Sequence, residues 1–123
     1  MIKLFCIDDN TKGWQLMPHF KAEEFTCRCG GKHPSWIALE LVHKLETLRM
    51  KLRRPIRVTS GYRCPGHNNS VGGAAKSQHV QGRAADIQVD GLTVRELAAA
   101  ARAVGFGFVL EEPTWVHVDV RGA

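Results

Sequence analysis

Ile37, Leu41, Leu45, Leu48 and Leu52 recur every three or four residues, which draws one apolar stripe down an amphipathic helix. Ser35 is placed as its N-cap, and Pro55 ends it at Arg54. Downstream the apolar period shortens to that of strands. "IRVTSGY" (56–62) is rich in β-formers and bounded by Pro55 and "CPGHNN". "AADIQV" (84–89) alternates so that Ala85, Ile87 and Val89 share one face while Asp86 and Gln88 share the other. "TVRELAAAARAVG" (93–105) is a helix with Thr93 and Glu96 spaced as a capping box and Gly105 as its stop. "FGFVLEE" (106–112) and "WVHVDVR" (115–121) are strands joined by a tight turn at Pro113. Ahead of these elements, residues 1–18 read as a turn-rich arm or hairpin, and "HFKAEEFTCRCGGKHPS" as a short helical turn followed by a loop. The pattern predicts an α+β fold: a small, mostly antiparallel sheet with helices packed on one face.

The alternation also sorts the polar residues. In the last strand Val116, Val118 and Val120 must face the core, so Trp115, His117, Asp119 and Arg121 share the opposite face. If this strand lies close to 84–89 in the sheet, Asp86 and His117 point the same way, and His79 in the preceding loop can fold back over them. Two His and one carboxylate are a common catalytic zinc set with one position left open, and such a site supplies hydroxide at neutral pH. Residues 64–78 form a long polar, Gly-containing stretch, unusual inside so small a domain and therefore a functional suspect.

Composition narrows the partners. With 123 residues, of which 44% are hydrophobic and 24% charged, the chain is expected to form a single domain over residues 1–123 and to build its core without staples. A net charge of +5 predicts attraction to polyanions, anionic cell-wall polymers included. No nucleic-acid-reading motif accompanies the charge, and at 7% the aromatics are thin for base stacking, so nucleic acid is not an expected partner. No window is apolar enough to insert in a membrane, and "MIKLFCIDDN" does not resemble a signal peptide, so the chain is expected to be cytoplasmic as synthesised. A monomer is the expectation for its oligomeric state. Cys6, Cys27, Cys29 and Cys64 are expected as free thiols; "CRCGGKH" completed by Cys6 or His33 is the alternative, a second zinc site. His19, His33 and His43 have no spacing partner and read as structural.

"SGYR" (60–63), "HN" at 67–68, "SQHVQGRAAD" (77–86) and "WVHVDV" (115–120) together resemble the family of zinc D-alanyl-D-alanine carboxypeptidases and peptidoglycan endopeptidases. The likeness runs from His19 to Arg121 and is greatest to the short single-domain members of bacteria and prophages, whose N-termini often look like "HFKAEEFTCRCG". It implies a fold shared with the amino-terminal domain of hedgehog proteins, with a zinc site on the sheet face opposite the helices. It also implies that His79, Asp86 and His117 are the zinc ligands. Arg63 matches the arginine aimed at the scissile carbonyl or substrate carboxylate, and Ser77 a substrate contact.

For the general base the resemblance is less direct. Members often carry a Glu, Asp or His three residues before the last zinc His, where this chain has Thr114; a His found in some relatives two residues before it is Trp115 here. The hedgehog-like arrangement places a Glu six residues before the ligand, which favours Glu111, with Glu112 and Asp119 as alternatives. The implied function is zinc-dependent hydrolysis of peptide bonds in peptidoglycan stem peptides, of carboxypeptidase or endopeptidase type, in a prophage lysis enzyme. The alternative is a non-catalytic, zinc-stabilised wall-binding or phage-assembly module, made credible by Thr114.

Overall fold

The computed structural model describes residues 4–6, 17–29, 36–73 and 77–121. Its main sheet has four strands in the order β3 (Arg57–Ser60), β4 (Ala84–Gln88), β6 (Val116–Asp119), β5 (Phe108–Glu111). Every pairing in it is antiparallel. The β5–β6 hairpin turns through Pro113 and Thr114, with the Glu112 amide donating to the carbonyl of Trp115 (2.9 Å).

Two helices cover one face. α1 (Leu39–Leu52) buries Leu41, Leu45 and Leu48, and α3 (Val94–Val104) buries Leu97, Ala98 and Ala101. They meet Ala85 and Ile87 of β4 and Val116 and Val118 of β6, all fully buried, so the period-two and period-3.6 stripes share one core. α3 starts and stops as its sequence predicts. Thr93 Oγ1 accepts from the Glu96 amide (3.0 Å), Glu96 Oε1 accepts from the Thr93 amide (2.9 Å), and Gly105 takes the left-handed conformation at φ 97°.

α1 departs from the expected boundaries. Its N-cap is Ala38, because residues 36–38 form strand β2 and pair antiparallel with β1 (Leu4–Cys6). Ile37 therefore belongs to this ribbon, although it is buried as the stripe required. The expected cap, Ser35, lies outside the described residues. At the other end Arg53 turns left-handed (φ 56°), so the helix closes at Leu52, short of Arg54. For residues 1–18, the described part of the arm pairs with β2 rather than with itself. The short helical turn appears as a 3₁₀ turn at Ala22–Phe25.

His19 has a structural role: its amide donates to Glu46 Oε1 (2.9 Å) and its ring pairs with Glu46 Oε2, which satisfies a carboxylate buried in α1. The face of the sheet away from α1 and α3 is left open, and α2 (Pro65–Ser70) and the 77–82 turns border it.

Candidate metal centre

Register brings the first two site residues together. Asp86 on β4 stands directly opposite His117 on β6, so both side chains leave the sheet on the open face. His79 comes from the turns ahead of β4, which are held by Ser77: its Oγ accepts from the His79 amide (3.1 Å). The His79 ring is almost fully buried, and ligand atoms of His79, Asp86 and His117 lie within 4.8 Å of one another.

Each imidazole has its tautomer set from behind. His79 Nδ1–H donates to the carbonyl of Gly61 (2.8 Å), an acceptor only, which leaves Nε2 bare and 3.2 Å from Asp86 Oδ1. His117 Nε2–H donates to Asp119 Oδ2 (2.9 Å), which leaves Nδ1 bare and 3.1 Å from the same Asp86 oxygen. Two lone pairs thus face one carboxylate oxygen, an arrangement that is favourable only with a proton or a cation among the three. Donors about 2.0–2.1 Å from one tetrahedral zinc stand roughly 3.3 Å apart, so the separations fit that ion.

Without a metal, protons do part of this work. Burial pulls the His117 imidazole down, but hydrogen bonds to Asp119 and Asp86 outweigh it and raise it to about 9. Burial pushes the Asp86 carboxyl up, and hydrogen bonds from His117 and His79 more than reverse this, leaving it well below the usual carboxylate range. To serve as a metal ligand at neutral pH, His117 would therefore have to release a proton.

Asp119 is fully buried and also accepts from Arg121, at Oδ2 from Nη2 (2.6 Å) and at Oδ1 from the backbone amide (3.0 Å). A carboxylate behind a ligand His orients the ring and raises its basicity. Asp119→Asn keeps the shape and loses the charge; it is expected to weaken zinc binding by about 10–100-fold in a chelator competition titration. An unchanged affinity would mean that His117 is oriented by packing alone.

The centre sits in a cleft of about 620 Å³. Arg63 enters it after β3, with its amide donating to the His79 carbonyl (3.1 Å) and Nη1 to Asn68 Oδ1 (3.2 Å). Gly73 closes over this pair so tightly that a Cβ there would stand 2.1 Å from Asn68 Oδ1. Ser77 also lines the cleft, beside His79.

Glu111 is not in the cleft. It pairs with Val116, a core-facing residue of β6, and so leaves the sheet on the helix side, where Oε2 accepts from Arg102 Nη2 of α3 (3.3 Å). Glu112, one residue on, takes the other face and lines the cleft. Phe108 and Leu110, opposite Asp119 and His117, form an apolar wall that the sequence reading did not identify, with the Arg121 guanidinium 4.1 Å from the Phe108 ring centre. Asn68, the buried partner of Arg63, enters the sequence only as half of the "HN" pair of the resemblance; its site in a six-residue helix gives no periodic signal.

Residues 18–119 match the Peptidase M15 family. Over 74 residues, 59% of this chain, it is 39% identical to a protein of Streptomyces albus G named zinc D-Ala-D-Ala carboxypeptidase. Over 79 residues, 58% of the chain, it is 35% identical to peptidoglycan L,D-endopeptidase MepK of Escherichia coli K12. These matches span 29% and 43% of the two relatives, so the chain covers less than half the length of either. With the match extending from the segment before the 3₁₀ turn to the end of β6, and enclosing the whole cleft-forming sheet, the chain belongs to the Peptidase M15 family.

Proposed function

We propose that this protein is a zinc-dependent peptidase that cuts peptide bonds in the stem peptides of peptidoglycan. The observation that carries the reading is the convergence of His79 Nε2 and His117 Nδ1 on Asp86 Oδ1, in a cleft that Arg63 and Glu112 also line. His79, Asp86 and His117 would hold the ion; bound there, zinc supplies Lewis acidity toward a carbonyl and acidifies nearby water to a pKa of about 7. The remaining work falls to side chains. Glu112 accepts a proton from the attacking water and returns it to the amine nitrogen as the C–N bond breaks. The Arg63 guanidinium offsets the charge that builds on the carbonyl oxygen. The Ser77 hydroxyl, whose oxygen accepts from the His79 amide, has its proton free to donate to the peptide.

The D-alanyl-D-alanine bond is our first candidate substrate, supported by the likeness to a relative named for that activity. The likeness to an L,D-endopeptidase supports an internal bond as the second. Incubating purified stem peptides and cross-linked muropeptides with the zinc-loaded protein separates them: free D-alanine is expected for the first, a new amine within a larger fragment for the second. Turnover by neither, relative to His117→Ala, overturns the peptidase reading, and binding of wall sacculi without turnover would favour a zinc-stabilised wall-binding module. The reading extends to a phage-type lysis role, in which the protein reaches the wall by release or delivery. Added to cells with a permeabilised outer membrane, it is expected to clear turbidity while His117→Ala does not.

A further inference from the structure

A second group of soft ligands lies outside the cleft. Cys27 and Cys29 follow the 3₁₀ turn, Cys64 precedes α2, and their sulfurs all lie within 4.8 Å of one another. None of the three forms a disulfide among the described residues. We propose that Cys27, Cys29 and Cys64 hold a structural zinc ion, distinct from the one proposed for the cleft.

Three observations support it. The Cys27 and Cys64 sulfurs stand 3.7 Å apart; two sulfurs each about 2.3 Å from one tetrahedral zinc stand about 3.8 Å apart. The backbone already treats these sulfurs as acceptors, with the Cys64 amide directed at Cys27 Sγ (3.3 Å) and the His67 amide at Cys64 Sγ (3.4 Å). Such N–H donors favour the thiolate form that a metal requires, against the burial that pushes the Cys27 thiol up. Third, the cluster is placed where two segments remote in sequence must be held together. The Tyr62 amide donates to the Phe25 carbonyl (2.9 Å), and Gly61 lies so close to Phe25 that a Cβ would stand 2.7 Å from its Cα.

The ion would clamp this seam. Gly61 supplies the carbonyl that orients His79, and Arg63 enters the cleft directly before Cys64, so the clamp supports the cleft from behind without touching it. Structural zinc sites of this type are closed by a fourth donor. Cys6 and His33, the two completing ligands offered by the sequence, have side chains outside the described residues.

The test is independent of activity and of the cleft. Full-length protein purified under reducing conditions with zinc is expected to carry two ions per chain, falling to one in His117→Ala and to one in Cys27→Ser/Cys29→Ser. Cobalt substituted into His117→Ala is expected to give the sulfur-to-metal charge-transfer band of a thiolate site, and into the double cysteine variant none. A single ion in wild type with no such band in His117→Ala overturns the cysteine site and leaves the cleft reading standing. The converse, a thiolate band with wild type reduced to that one ion, overturns the cleft centre alone. If the double variant does not fold, the cobalt spectrum of His117→Ala still decides.

Discussion

Asp86→Ala is expected to lower hydrolysis of wall peptides on the order of 10³-fold or more while the protein stays folded. Asp86 is the residue on which the centre closes: both bare imidazole nitrogens face its Oδ1, and among the described residues no other carboxylate meets them both. Removing it takes one donor of three from a divalent ion and the only negative charge among them. The fold should tolerate the change because Asp86 projects from the open face. Its strand neighbours Ala85 and Ile87 keep the core contacts, and the β4 ladders to β3 and β6 are backbone bonds. The measurement is an initial rate on purified stem peptide, with a thermal melt and the zinc content determined on the same sample. Zinc content has to be read against the cysteine variants, since a loss at the cleft leaves any thiolate-bound ion in place. A variant that hydrolyses at the wild-type rate would remove the cleft from the mechanism altogether.

The site was legible in the sequence to the extent that strand alternation could speak. Val116, Val118 and Val120 demand the core, so His117 had to face away from it, and the same rule turned Asp86 outward. What alternation does not contain is register, and the Asp86–His117 pairing is a fact of register. His79 could be offered only as a loop residue able to fold back over the pair, since nothing periodic governs a run of turns; the resemblance then matched it to a ligand. The β1–β2 ribbon was missed for a related reason: three residues per strand are too few to reveal a period, and Ile37 fits a helical stripe as well as a strand. The cysteine cluster joins residues 37 positions apart in sequence, Cys27 and Cys64, across a seam that only the folded chain creates.

The side of the sheet that Glu111 takes is a different matter, because the information needed for it was present. A turn through Pro113 and Thr114 sets Glu112 against Trp115 and Glu111 against Val116, and directly opposed residues share a face. Trp115 lies on the His117 face and Val116 on the core face, so the hairpin alone puts Glu112, not Glu111, on the cleft side. The preference for Glu111 came from counting six residues back along the chain. A strand carries that count across the sheet to the opposite face unless the turn is considered too.

Glu112→Gln is therefore the variant that tests the proton transfer itself. It is expected to lower kcat by about 10²–10⁴-fold, the usual contribution of a positioned acid–base group. Zinc content and thermal stability should not change, because Glu112 touches neither the three donors nor the core. The amide keeps the size and polarity of the cleft wall, so KM should move little, and the loss should fall on the chemical step. Glu111→Gln is the matched control. Its carboxylate meets Arg102 in an exposed pair on the helix side, an interaction worth roughly 0–1 kcal/mol, so its rate is expected to stay within about twofold of wild type. The pair of variants separates two faces of one strand end with a single atom changed in each. Equal, near-wild-type rates in both would exclude proton transfer by either glutamate. Of the three carboxylates that the sequence offered as the base, Asp119 would then remain, already committed to holding the His117 ring and Arg121.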